Sequence, residues 1–106
     1  MATDIEGSHL APDLFCLTVT GEIDMANADE LDEAIDEALH VDGVTRVFVE
    51  MERTTFLDSA GIRTLLFSHH NAAKRGITFC VVKPSPIVRR VLQLTGVIPG
   101  LGSDRR

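Results

Sequence analysis

The chain has 106 residues, 44% of them hydrophobic, and its ten basic and sixteen acidic residues give a net charge of −6. This length and composition predict a single domain over residues 1–106 with its core at about 14–98. The acidic balance argues against binding to nucleic acid, and the lack of a long apolar run argues against insertion into a membrane. The two cysteines have no paired spacing and no signal peptide is visible, which predicts a cytoplasmic protein with reduced thiols.

The first third of the chain predicts a strand followed by an acidic helix. Residues 1–11 are compatible with either an edge strand or disorder, and the sequence does not decide between them. Residues 14–20 alternate in polarity and predict a strand, and residues 21–24 predict a loop. Apolar side chains recur at helical spacing over residues 27–39, with six acids on the opposite face. Asn27 and Glu30 resemble a capping pair, so Asn27 is expected to cap this helix.

The middle of the chain predicts a buried strand that leads into a second helix. Residues 44–51 are apolar on both faces, which is typical of a central strand covered by helices. Residues 52–54 predict a short polar loop. Ser59 then falls at the expected N-cap of a helix over residues 62–74. The predicted inner face of that helix consists of Ile62, Leu65, Leu66, His69 and Ala73.

Two adjacent histidines on this helix, His69 and His70, are candidate metal ligands by residue type. Neighbouring residues on a helix point in different directions, and the sequence offers no third ligand. We therefore expect surface or half-buried histidines and no metal ion or other cofactor.

The last third of the chain predicts a strand and a third helix. Gly76 ends the second helix, and residues 77–82 form the next strand. Ser85 and Pro86 predict an N-cap and the first turn of a helix that Gly96 stops. Residues 97–98 are expected to form a short last strand, and residues 99–106 to be frayed.

The alternation of strands and helices predicts an α/β domain with parallel strand pairing. Functional loops in such sheets gather at the carboxyl ends of the strands. The loop at residues 21–26 and the loop at residues 52–61 should meet there. This arrangement places Asp24 near Asp58 and Ser59.

Three segments, in this order, carry a resemblance to a known family. They are residues 21–24 (Gly-Glu-Ile-Asp), residues 55–61 (Thr-Phe-Leu-Asp-Ser-Ala-Gly) and residues 84–96, which begin Pro-Ser-Pro and end Thr-Gly. Together they resemble the STAS domain family, and within it the bacterial anti-sigma-factor antagonists. The resemblance implies a mixed, largely parallel sheet of four to five strands flanked by helices, with no catalytic centre and no cofactor.

The resemblance also implies a function in transcription regulation under stress. Ser59 corresponds to the serine that a cognate anti-sigma factor phosphorylates; that partner is a serine kinase of the histidine-kinase-like ATPase fold. The unphosphorylated antagonist binds the anti-sigma factor and frees the sigma factor, phosphorylation ends the interaction, and a phosphatase restores it. The residues expected to bind the partner are Asp24, Asp58, Ser59, Ala60, Gly61 and Ile62.

Two features depart from the family pattern. Ala60 stands where many members have a second serine, which leaves Ser59 as the one candidate hydroxyl in the motif. The sequence ends soon after Gly96, where many relatives continue into an amphipathic helix. Without that helix we expect an exposed apolar patch that favours weak self-association into a homodimer.

Ser59 has a structural and a functional interpretation. As a plain N-cap its hydroxyl would stabilise the helix by about 1 kcal/mol. As a phosphorylated residue it would place roughly −1.5 to −2 charge beside Asp58, where backbone N–H groups at the start of the helix would stabilise the anion. The family motifs favour the phosphorylation site.

The sequence leaves open two alternatives from other functional classes. A hydrolase with Ser59 as nucleophile would need Gly-x-Ser-x-Gly, but position 57 is leucine, and the four histidines suggest no triad. The second alternative is a non-catalytic STAS scaffold or ligand-binding module of a stress-signalling or transport complex. A scaffold would assemble with its partners regardless of ATP.

Overall fold

The computed structural model describes residues 3–95, which form a four-stranded sheet and three helices. In chain order the elements are β1 (Asp4–Ala11), β2 (Leu14–Ile23), α1 (Ala28–Leu39), β3 (Arg46–Leu57), α2 (Ser59–Lys74), β4 (Thr78–Val82) and α3 (Pro86–Thr95). The strands lie in the order β1-β2-β3-β4, with β1 antiparallel to β2 and the other two pairs parallel. The predicted mixed, largely parallel α/β sheet is confirmed. The predicted stop at Gly96, the short strand at 97–98 and the tail lie outside the described residues.

Strand β1 settles the question that the sequence left open at residues 1–11. It pairs with β2 from Asp4 opposite Thr20 to Ala11 opposite Leu14, with one irregularity after His9. Most of its side chains are exposed, as expected for a strand at the edge of a sheet.

Strands β2 and β3 both extend further than the sequence predicts. Residues 21–23 and 52–54 were expected to be loops, but they continue the parallel ladder between the two strands. Two register irregularities, one beside Gly21 (φ 104°), let the ladder continue through these polar segments. Strand β4 pairs with β3 only as far as Glu50. Beyond that point the residue that precedes α3 bonds this side of β3, because the N–H and the Oγ of Ser85 donate to the carbonyls of Met51 and Thr54.

The core lies between the sheet and the helices. Helix α1 packs on β2, α2 on α1 and β4, and α3 on β3. Alternate residues of the three parallel strands are almost completely buried in this core: Leu17, Val19, Val47, Val49, Phe79 and Val81. Helix α1 buries the face that its periodicity predicts: Ala28, Leu31, Ile35, Ala38 and Leu39, with Ala34 half-buried.

The buried face of α2 differs from the prediction. Its buried residues are Gly61, Leu65, Ser68 and Ala72. Leu66 is 39% exposed and Ala73 is also exposed, whereas Ile62 and His69 are half-buried. The helix packs against the core partly through the small side chains of Ser68 and Ala72. A prediction from hydrophobicity alone therefore places Leu66 in the core, although it lies to one side of the buried face.

The ends of the helices carry the predicted signals at two places. Gly76 adopts φ 72° beyond α2, and the N–H groups of Gly76 and Ile77 donate to the carbonyls of Ala73 and Ala72. Ser85 caps α3 because its Oγ accepts from the Val88 N–H at 3.3 Å. The same Oγ donates to the Thr54 carbonyl at 2.6 Å, which fixes the start of α3 to β3.

The histidines of α2 have ordinary surroundings. The ring of His69 meets Phe79 edge-on, with centroids 6.4 Å apart, and His70 is exposed. Within residues 3–95 there is no cluster of three histidine, cysteine or acidic side chains that could hold a metal ion. Among α1, α2 and α3, none has both the length and the apolarity needed to cross a membrane.

Candidate functional site

The candidate site lies where β2 and β3 end side by side. Ile23 and Leu57 are paired in the parallel ladder, and the N–H of Asp58 donates to the Ile23 carbonyl at 3.2 Å. Asp24 and Asp58 therefore follow the carboxyl ends of two neighbouring strands and lie at the same end of the sheet. The structure thus brings together the two loops that the sequence predicts to meet.

Asp58, rather than Ser59, is the N-cap of α2. Its backbone is extended (φ −101°, ψ −172°), and its Oδ1 accepts from the N–H groups of Ala60 at 2.9 Å and Gly61 at 3.1 Å. Aspartate is among the best N-cap residues, and its negative charge suits the positive end of the helix dipole. The prediction that Ser59 caps the helix is wrong, because the preceding carboxylate takes that role.

Ser59 is the first residue of α2, and its side chain is exposed. Within the described part of the chain, its hydroxyl makes no hydrogen bond. The helix start does not need this hydroxyl as a cap, because Asp58 Oδ1 already accepts from the N–H groups of Ala60 and Gly61. The structural interpretation of Ser59 thus loses its basis, and the hydroxyl remains accessible to a partner.

Gly61 and Ile62 pack beneath the site, on the side of α2 that faces the core. A Cβ at Gly61 would overlap with Leu57 Cδ1 and would lie 2.8 Å from Ile23 Cγ2. Ile62 is half-buried against the core. Of the six predicted partner-binding residues, Ser59 is exposed, Gly61 is buried and the other four, Asp24, Asp58, Ala60 and Ile62, are half-buried.

The Asp24 loop is held by its own hydrogen bonds. Asp24 Oδ1 accepts from the Ala26 N–H at 2.9 Å, and the Asp24 N–H donates to Asn27 Oδ1 at 2.8 Å. Asn27 Nδ2 donates to the Glu22 carbonyl at 2.8 Å and to Thr3 Oγ1 at 2.6 Å. The predicted capping role of the Asn27 side chain is wrong, because these bonds fix the loop and the side chain makes no cap to α1.

An open cleft of about 470 Å³ separates the amino-terminal ends of α1 and α2, next to Ser59. Two large apolar side chains on its walls face solvent: Met25 is 82% exposed and Phe67 is 59% exposed. Arg63 also lines the cleft, and among the described residues no carboxylate lies within ion-pair distance of it. The other lining residues are Ala28, Asp29, Asp32, Ala60 and Thr64.

The sequence reasoning missed Met25, Arg63 and Phe67. The sequence did contain one signal for this site. Phe67 lies off the predicted apolar face of its helix, and an exposed aromatic side chain often belongs to a binding surface. Met25 lies in a short loop with no periodic pattern, so only the fold shows that it flanks the cleft.

Comparison with known proteins assigns the family. The sequence profile described as "STAS domain" matches residues 7–101. This chain belongs to the STAS domain family. The STAS domain is 31% identical over 81 residues to "Anti-sigma-F factor antagonist RsfB" of Mycobacterium tuberculosis (strain ATCC 25618 / H37Rv). That match covers 76% of this chain and 65% of the relative, slightly less than two thirds of its length.

Solved structures share the fold. An anti-sigma factor antagonist from Mycobacterium paratuberculosis matches with a TM-score of 0.80 and 28% identity, over 99% of this chain and 86% of that chain. The anti-sigma factor antagonist SpoIIAA in its unphosphorylated form matches with a TM-score of 0.79 and 22% identity, over 97% and 90%. The phosphorylated form of SpoIIAA, a cell fate determinant of Bacillus, matches with a TM-score of 0.72 and 21% identity, over 97% and 93%. At these identities the SpoIIAA matches show the fold alone.

The surroundings of Ser59 do not favour the hydrolase alternative. Activation of a serine requires a base within hydrogen-bond reach, and in the described residues no histidine makes a hydrogen bond to Ser59. His69 lies ten residues further along α2, about 15 Å along the helix axis. His9 lies on β1 and His40 follows the carboxyl end of α1, and each bonds a carbonyl nearby in sequence.

Removing the Asp58 cap is expected to destabilise the STAS domain. Asp58→Ala leaves the N–H groups of Ala60 and Gly61 without their acceptor and should lower the free energy of unfolding by about 1 kcal/mol. Asp58→Asn keeps an acceptor at the same place and should cost no more than about 0.5 kcal/mol. Urea unfolding of the three proteins measures this difference, and equal losses in both variants would contradict the capping role.

Proposed function

We propose that this STAS domain is an anti-sigma factor antagonist whose binding to its anti-sigma factor is switched off by phosphorylation of Ser59. The observation that carries the proposal is the exposed, unbonded Ser59 hydroxyl on the first turn of α2. A kinase can reach this hydroxyl without unfolding any element. The similarity to RsfB and to the Mycobacterium paratuberculosis antagonist supports this class of function.

The proposed docking surface surrounds Ser59. It consists of Asp24, Met25, Asp58, Ser59, Ala60 and Phe67. The two exposed apolar side chains, Met25 and Phe67, can supply the desolvated contacts that dominate most protein interfaces. The two aspartates add charge that orients a partner on this surface. Gly61 and Ile62 belong to the support of this surface, because Gly61 is buried and the half-buried Ile62 packs against the core.

In the proposed cycle the unphosphorylated domain binds an anti-sigma factor in the cytoplasm, and the sigma factor is released. The anti-sigma factor is a serine kinase of the histidine-kinase-like ATPase fold. The Ser59 Oγ attacks the γ-phosphorus of ATP, the bond from that phosphorus to the β-phosphate oxygen breaks, and ADP leaves. The hydroxyl proton passes to a base on the kinase. A phosphatase later hydrolyses the phosphoserine and restores the binding form.

Phosphorylation switches the surface by charge rather than by refolding. The phosphate carries roughly −1.5 to −2 charge at neutral pH. It is placed in the middle of the docking surface and next to the Asp58 carboxylate. Like charge brought against an acidic group of a partner costs several kcal/mol, which is enough to end an interaction of moderate affinity.

The proposed function predicts a specific dependence on one hydroxyl. Candidate anti-sigma factor kinases from the same genome, incubated with ATP, should add one phosphate to the wild-type domain and none to Ser59→Ala. Intact mass and mapping of the modified residue measure this result. The matched control is Ser8→Ala, which removes another exposed hydroxyl and should be phosphorylated like the wild type. Ser68 does not serve as a control because its side chain is buried in the core. Equal incorporation into wild type and Ser59→Ala would overturn the proposal.

A further inference from the structure

The environment of Ser59 raises the question of which group neutralises a phosphate there. A helix start usually binds an anion through its free N–H groups. Here Asp58 Oδ1 already accepts from the N–H groups of Ala60 and Gly61. A phosphate on Ser59 therefore meets an occupied cap with a negative charge of its own, and it needs a cation from elsewhere.

Arg63 is placed to supply that cation. It follows Ser59 by four residues on α2, so the two side chains leave the same face of the helix with Cβ atoms about 6 Å apart. It lines the cleft together with Ala60, the residue next to Ser59. Over residues 59–66, which form the first two turns of α2, Arg63 is the one basic residue.

Arg63 also makes no ion pair with any of the described residues. Asp29 and Asp32 line the same cleft, yet among the described residues neither lies within 4.0 Å of the Arg63 guanidinium in an ion pair. An arginine without such a bond can turn toward a new anion at the cost of side-chain freedom alone. Its planar guanidinium donates two parallel N–H bonds to a phosphate, which makes it the side chain best suited to this task.

We infer that Arg63 binds the phosphate of phosphorylated Ser59 within the same chain. This inference rests on the proposed phosphorylation of Ser59 and adds a specific phosphate-binding residue to it. Phosphorylation places a dianion at residue 59, and the contact draws the Arg63 guanidinium away from the cleft beside the docking surface, where it was available to an acidic group of the partner.

The test uses the full chain with phosphoserine installed at position 59 during translation. Titration by ³¹P NMR gives the second pKa of the phosphate, whose ordinary value is about 6. With Arg63 present, this pKa should lie roughly 0.5 to 1 unit lower than in Arg63→Gln. Arg63→Lys should fall between the two, because lysine supplies the charge without the bidentate geometry. The difference should shrink in about 1 M salt, where exposed charges are screened.

The matched control is Arg75→Gln, which removes an arginine at the other end of the same helix. Arg75 lies sixteen residues from Ser59, about 24 Å along the axis, so its removal should leave the phosphate pKa unchanged. Equal pKa values in wild type and Arg63→Gln, or an equal shift in Arg75→Gln, would overturn the inference. Because the phosphate is installed without a kinase, this result is independent of whether a kinase phosphorylates Ser59.

Discussion

Replacing Leu65 by alanine is expected to lower the free energy of unfolding by about 3 kcal/mol, because the change leaves a cavity in the core. The Leu65 side chain is completely buried between α2 and the sheet. Its neighbours belong to strands and helices that are fixed by their own hydrogen bonds, so the cavity can collapse only in part. Urea unfolding followed by circular dichroism measures the loss.

The adjacent leucine provides the control. Leu66 is 39% exposed, and Leu66→Ala should cost less than about 1 kcal/mol. The pair tests the orientation of α2, because hydrophobic periodicity alone places both leucines in the core. Equal losses in the two variants would contradict the orientation that the structure gives to this helix, and with it the accessible position of Ser59.

Gly61→Ala is expected to have the second largest effect, a loss of about 1–3 kcal/mol through overpacking. The new Cβ would overlap with Leu57 Cδ1 and would come within 2.8 Å of Ile23 Cγ2. Both side chains are buried, at 3% and 0% exposure, and have little room to move. Relief of the overlap would shift the first turn of α2, so phosphorylation of Ser59 should slow as well.

Two variants separate this steric effect from a general effect of glycine. Gly76→Ala has no atom within 4 Å of the new Cβ, and its cost of roughly 1 kcal/mol comes from the positive φ of 72° alone. In a Leu57→Val background, which lacks the overlapping methyl group, the added cost of Gly61→Ala should fall by at least about 0.5 kcal/mol. Additive losses in the double variant would show that the contact with Leu57 is not the cause.

The sequence predicts the elements of this domain better than it predicts their ends. The alternating strands and helices, the buried face of α1, the Gly76 and Ser85 signals and the meeting of the Asp24 and Asp58 loops are all present in the structure. All but the last depend on local patterns, either a periodicity or a residue at a defined position, and the last follows because the carboxyl ends of neighbouring parallel strands meet. Patterns of this kind are visible in a single sequence.

The errors share a different physical origin, which is tertiary context. The ladder between β2 and β3 continues through polar residues because β2 on one side and the start of α3 on the other supply hydrogen-bond partners for this part of β3. The cap of α2 falls on Asp58 because the pairing of β3 with β2 fixes where the helix begins: Leu57 is paired with Ile23, the Asp58 N–H donates to the Ile23 carbonyl, and Ser59 is already helical. The cleft residues Met25 and Phe67 are distant in sequence, and they become one surface only when α1 and α2 pack together.

The shift of the cap changes the account of Ser59. A serine that capped the helix would be needed for stability, and its phosphorylation would disturb the helix start. With Asp58 as the cap, Ser59 carries no structural role in the described residues and can be modified without refolding. The fold and the proposed switch are therefore separable, so substitutions at Ser59 should leave stability nearly unchanged, and the phosphate rather than the loss of the hydroxyl should weaken binding.

The most direct test of the proposed function is the affinity of the phosphorylating kinase for two forms of this domain. Isothermal titration compares the wild-type domain with the same chain carrying phosphoserine at position 59, in the presence of a non-hydrolysable ATP analogue. We expect the phosphorylated form to bind at least about 10-fold more weakly, a loss of roughly 1.4 kcal/mol or more. Ser59→Ala should bind within about threefold of wild type, a difference below roughly 1 kcal/mol. Equal affinity of the phosphorylated and unphosphorylated forms would contradict the account.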